Sequence, residues 1–168
     1  AEKAAMDVGG AIETMDPPRG ACRVLAVTFR AGDFDVAERH YRAAIREDNE
    51  DVQALSNLAT ALYHRYLHHD EVDTTSGNAL DDITEIVTLY RRALFLRPTG
   101  NGAAMLNFNL GSALLNLGET IDAQAAFERA LAIRPDFPAA RQNLGALQQQ
   151  IGALGDAEAS YRKALASA

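Results

Sequence analysis

The chain has 168 residues, 48% hydrophobic and 23% charged, with a formal net charge of −7. This is enough apolar material to close a core, which excludes a wholly disordered chain. The acidic balance argues against a protein held on nucleic acid by phosphate contacts, and a single cysteine, Cys22, excludes an internal disulfide and a cysteine-built structural zinc.

Residues 1–17 carry one basic residue, four acids and no apolar run. They read as an N-terminal extension without a secretory signal, and the chain as cytoplasmic. From residue 18 two classes of segment alternate. GACRVLAVTFRAG from Gly20 is a degenerate member of the first class. ALSNLATALYHRY from Ala54, MLNFNLGSALLNLG from Met105 and ARQNLGALQQQIG from Ala140 are clearer ones. The second class is led by an aromatic residue: Tyr41, Tyr90, Phe127 and Tyr161, spaced by 49, 37 and 34 residues. Leu106, Leu110, Leu114 and Leu117 recur at helical steps, as do Ala123, Phe127, Ala130 and Leu131. Gly32, Gly118 and Gly152 mark turns within the pairs, and Pro98 and Pro135 stop two of the outer helices. No segment alternates with period two, so no strands are expected. The uncharged stretch from Thr99 to Gly118 is 20 residues long, but its four Asn and four Gly make it a helix buried in protein rather than in lipid.

A 34-residue helix-turn-helix unit resembles the tetratricopeptide repeat. Leu110, Gly111, Leu114, Ala123, Phe127, Ala130 and Pro135 carry the resemblance in one unit. Leu144, Gly145, Ala157, Tyr161 and Ala164 carry it in the next. The resemblance implies an all-α, right-handed superhelix of about four units, at roughly 18–51, 52–100, 104–137 and 138–168. The 49-residue interval places an insertion at 67–82, and the 37-residue interval places three extra residues at Asn101 to Ala103.

In such a superhelix the inner helices line a concave groove. Arg19, Arg23 and Arg30 lie within about 40° of one another on the first inner helix, suited to acidic groups of a partner. The second presents Gln53, Ser56, Asn57, Thr60, Tyr63 and His64. The third presents Met105, Phe108, Asn109, Ser112, Leu115 and Asn116, and the fourth includes Gln142 and Asn143. Asn57, Asn109 and Asn143 occupy equivalent positions, and the resemblance implies that such a ladder holds the backbone of an extended peptide. Met105 and Phe108 offer an apolar anchor. Cys22 and Ala26 stand where a chaperone-adaptor carboxylate clamp needs Lys and Asn, so that specificity is not expected.

The expected function is therefore protein–protein binding, as a scaffold, assembly or accessory factor, with no enzyme activity, cofactor, nucleic acid or transmembrane segment. One alternative is a permanent subunit of a larger complex, docked through its ends and N-terminal tail. Tyr161 and Leu165 on the last outer helix are expected to face a neighbour or a second copy, since terminal repeats otherwise have a polar outer face. A second alternative is a metal-dependent regulator or enzyme using His64, His68 and Asp70 beside the acidic insertion.

Overall fold

The computed structural model describes residues 34–68, 79–97 and 99–166. Among these there are seven helices and no strand: α1 Phe34–Glu47, α2 Val52–His68, α3 Ala79–Leu96, α4 Asn101–Leu117, α5 Thr120–Ile133, α6 Pro138–Gln150 and α7 Leu154–Ala166. Each helix packs on its sequence neighbours, so α2/α3, α4/α5 and α6/α7 form hairpins stacked in an α-superhelical array, with α1 against α2.

The turns follow from glycine. Gly118 has φ of +85° and Gly152 +82°, a left-handed conformation that side chains rarely adopt. In each case the helix ends with the same pair of bonds. Gly118 N–H donates to Leu115 O and Glu119 N–H to Leu114 O; Gly152 N–H donates to Gln149 O and Ala153 N–H to Gln148 O. This satisfies the last carbonyls and reverses the chain within three residues. Gly32 lies outside the described residues.

The departures from a 34-residue period resolve into helix length. Asn101 to Ala103 form an additional turn at the start of α4, following Gly100 at φ +90°. Of the inserted stretch, Leu67 and His68 extend α2 and residues 79–82 extend α3. Residues 69–78, including Asp70, lie outside the described residues, as do the N-terminal 33.

The main core runs continuously along the array, from Ala37 and Tyr41 to Leu144 and Leu147. Tyr90, Phe127, Leu55, Leu58, Ile83, Ile86, Leu114 and Leu147 are its largest fully buried side chains, each worth about 1.5–3 kcal/mol of apolar burial. Small residues allow the hairpins to close. A Cβ on Gly111 would lie 2.7 Å from the Phe127 ring, and one on Gly145 would lie 3.0 Å from the Tyr161 ring.

The outer helices are tied by ions. Arg42 of α1 pairs bidentately with Glu85 of α3, at 2.8 and 3.1 Å, and also with Glu38 at 2.8 Å. Arg65 of α2 pairs with Glu38 as well. Partial burial pushes the Glu38 carboxyl up, but the Arg42 hydrogen bond and the Arg65 and Arg42 charges together bring it below its ordinary 4.5. A lowered carboxylate contributes stability that is present above its unfolded value and lost as pH falls through its folded value. Glu38→Gln is therefore expected to lower the melting temperature by about 2–5 °C at neutral pH. The gap between variant and wild type should close as the solution is acidified below 4.5. Thermal unfolding across that range checks it, and a gap independent of pH would refute the assignment.

Candidate functional site

Asn57, Asn109 and Asn143 lie at equivalent positions of the inner helices α2, α4 and α6, all half-buried. Two of the amides, Asn57 and Asn143, have an internal partner that orients them. Asn57 Oδ1 accepts from Gln53 Nε2 at 3.0 Å. Asn143 Nδ2 donates to Ser112 Oγ at 3.4 Å. An amide has two N–H donors and a two-lone-pair carbonyl, so one bond leaves most of its capacity unused.

Tyr90 is the feature that sequence reasoning missed. It lies on the outer helix α3, completely buried, and its hydroxyl meets Thr60 Oγ1 of α2 at 3.0 Å. An outer-helix side chain is thus tied to the inner helix of its own unit. Burial holds its phenol neutral, pushing its pKa well above the usual tyrosine value, against the lowering effect of the Thr60 bond. The signal in the sequence was the hydroxyl at a position where the next unit has Phe127. Tyr63 forms the neighbouring junction. It stacks on Tyr66 with centroids 6.5 Å apart and accepts a 2.7 Å hydrogen bond from Asn116 Nδ2 of α4. Burial, with a smaller contribution from Tyr66, pushes its phenol up to about 12, the Asn116 bond opposing.

The expected apolar anchor is largely used inside the fold. Phe108 lies 4.9 Å from Phe137 and 6.0 Å from Phe127, centroid to centroid, and the Arg134 guanidinium sits 3.5 Å over the Phe137 ring. Met105 packs against the same group, with Ala130 and Ala140. The cluster closes the junction between the third and fourth units. Its organiser, Phe137, was not singled out in the sequence because it falls in the turn before Pro138 rather than in a periodic helix position.

Tyr161 also serves its own unit. It occupies the register of Phe127 and lies against Gly145 as Phe127 lies against Gly111. Its hydroxyl donates to Gln149 Oε1 at 3.4 Å. The open apolar residues of α7 are instead Leu165, 78% exposed, and Leu154, 67% exposed. Arg19, Arg23 and Arg30 lie outside the described residues, and so do Cys22 and Ala26. Among the described residues no three His, Cys, Asp or Glu side chains come together as a metal site requires. His64 and His68 lie on α2, near its C-terminal end. Among the described residues no helix is long and apolar enough to cross a membrane.

Comparison with known proteins agrees with this repeat architecture. Two tetratricopeptide-repeat family models match, one over residues 28–70 and one over residues 104–137. Among curated proteins none matches the chain by sequence. The solved structure of TTC0263, a thermophilic TPR protein of Thermus thermophilus, superposes with a TM-score of 0.70 at 22% identity, covering 86% of this chain and 70% of that one. MamA of MSR-1 superposes with a TM-score of 0.65 at 18% identity, covering 83% and 70%. The first TPR of Spaghetti (RPAP3), bound to the HSP90 peptide SRMEEVD, gives 0.63 at 18% identity, covering 77% and 89%. At these identities the likeness is one of fold. With its glycine-closed hairpins, its aromatic leaders and these two family matches, the chain carries tetratricopeptide repeats, matched at residues 28–70 and 104–137.

Proposed function

We propose that the protein is an interaction scaffold that takes an extended segment of a partner along the face formed by α2, α4 and α6. Asn57, Asn109 and Asn143 would hold the segment's backbone, with Tyr63 and Asn116 at its side. The observation that carries this reading is the equivalence of the three amides on successive inner helices, each still half-exposed and two of them, Asn57 and Asn143, oriented by an internal bond. An oriented amide loses little conformational freedom on binding, and main-chain hydrogen bonds suit a segment read by shape and pockets rather than by charge. The bound peptide in the Spaghetti (RPAP3) structure supports peptide capture by this fold. The clamp-type preference for a terminal carboxylate is not part of the proposal, because Cys22 and Ala26 lack the required donors.

The test uses a peptide selected by display against the whole chain. Asn109→Ala combined with Asn143→Ala is expected to weaken that peptide by about 2–3 kcal/mol, roughly 30- to 150-fold in Kd. Thr60 still reaches the Tyr90 hydroxyl in the variant, so the fold should stand. Unchanged affinity with an unchanged helical circular-dichroism signal would remove the ladder from the mechanism.

A further inference from the structure

The inner helices are bridged to one another by neutral groups. Tyr63 of α2 accepts from Asn116 Nδ2 of α4 at 2.7 Å, and Asn143 Nδ2 of α6 donates to Ser112 Oγ of α4 at 3.4 Å. Asn116 Nδ2 also donates to Ser112 O, one turn back on α4, at 3.0 Å. Tyr63, Asn116, Ser112 and Asn143 are therefore a continuous run of contacts across three units. Charge is spent elsewhere. α4 has no acidic or basic residue in its 17 positions. Arg65 of α2 is paired with Glu38 of α1, and Arg141 of α6 donates to the Pro135 carbonyl. Asp51 caps α2 by accepting from the backbone N–H groups of Gln53 and Ala54. The pairs Arg42–Glu85 and Arg91–Asp122 lie between outer helices.

Resting on the scaffold reading above, we infer that the partner segment taken across α2, α4 and α6 is uncharged over about six residues and carries amide or hydroxyl side chains there. Helices packed about 8–10 Å apart put about 16–20 Å between the first and third axes, which an extended chain covers in about five or six residues. The run offers both donors and acceptors. Asn116 spends both N–H groups internally and keeps Oδ1 as an acceptor, whereas Tyr63 keeps its O–H as a donor. Asn143 keeps one N–H and its Oδ1, and Asn57, whose Oδ1 is taken by Gln53, keeps both N–H groups. A peptide group, a primary amide or a hydroxyl donates and accepts, and so answers both kinds. A carboxylate only accepts and an ammonium only donates, so either leaves part of the run unmet. Each would also give up hydration against the half-buried Tyr63, Ser112 and Asn143, with no counter-charge to replace it.

The test is a peptide library with a random six-residue window between Gly-Ser flanks, selected by display against the whole chain. Recovered peptides are measured by fluorescence anisotropy at pH 8, where an ordinary histidine is neutral. The windows are expected to be depleted in Asp, Glu, Lys and Arg relative to the unselected library. Their Kd should change by less than about twofold between about 0.05 and 0.5 M salt. Replacing a central Gln of a recovered peptide by Glu, or by Lys, should each weaken it at least about tenfold. Asn116→Asp is nearly isosteric and exposed, and it places one charge in the run. Neutral peptides should lose at least about fivefold on that variant, and their Lys-substituted forms should bind it more tightly than they bind wild type. Circular dichroism shows that each variant is folded. Charged or salt-sensitive peptides that still lose affinity on Asn109→Ala with Asn143→Ala would overturn the inference and leave the scaffold reading standing. Peptides indifferent both to that double variant and to Asn116→Asp, or a selection that yields no binder, would remove the scaffold reading and the inference with it.

Discussion

Phe127→Ala is expected to destabilise the protein by about 3–5 kcal/mol, a large part of the stability of a chain this size. The ring is fully buried, closes the α4/α5 hairpin over Gly111, and supports Phe108, which in turn holds Phe137. Its removal therefore leaves a cavity lined by two helices and withdraws support from the third–fourth unit junction. Because repeat arrays are held by nearest-neighbour interfaces, the loss should fall unevenly. The α6/α7 pair should exchange its amides faster than α2 and α3 in hydrogen exchange. A denaturation midpoint shifted by less than about 1 kcal/mol would mean that the array repacks around the gap.

Gly111→Ala probes the same hairpin from the other side, and it is expected to cost about 1–3 kcal/mol, although alanine has the higher helix propensity. The new Cβ would sit 2.7 and 2.8 Å from two ring carbons of Phe127. That ring has no room to retreat, since it is buried on every side. Gly145→Ala makes the informative contrast. There the nearest ring carbons, on Tyr161, are 3.0 and 3.1 Å away, and Tyr161 is only half-buried, at the end of the array. The ring can yield outward by a few tenths of an ångström, so the propensity gain should offset most of the strain. Chemical denaturation of the two variants side by side measures the difference. Equal costs would show that distance to the ring, rather than the freedom of the ring to move, sets the penalty. Combining Gly111→Ala with Phe127→Leu should recover part of the loss, since the smaller side chain vacates the contested space.

Most of the repeat architecture was legible because its determinants are local and periodic. The helical recurrence of Leu106, Leu110 and Leu114, the glycines at 118 and 152, and Pro135 act through backbone conformation and one-sided burial, which neighbouring residues reveal. Repetition placed Asn57, Asn109 and Asn143 at one register, and each lies half-buried on its inner helix.

What repetition could not show was how the spare lengths of chain are spent. Three residues beyond the period read equally well as a loop or as a helical turn, and the array takes Asn101 to Ala103 as a turn of α4. Pairwise choices between side chains were equally hidden. Periodicity puts Tyr161 on an amphipathic helix without saying which side of its ring is covered; only the close approach of Gly145 turns it inward and leaves Leu165 outside.

By itself, the sequence determined the fold family, the order of inner and outer helices and the equivalence of the three asparagines, since each follows from spacing along the chain. The tertiary structure alone decided that the Tyr90 hydroxyl meets Thr60, that Phe108 is spent on Phe137, and that Arg42 and Arg91 each reach the next outer helix. These contacts join residues far apart in the chain, up to 43 positions for Arg42 and Glu85, and the two ion pairs lie across unit junctions. The deciding quantity there is the distance between packed helices, and no local pattern of residues encodes that distance.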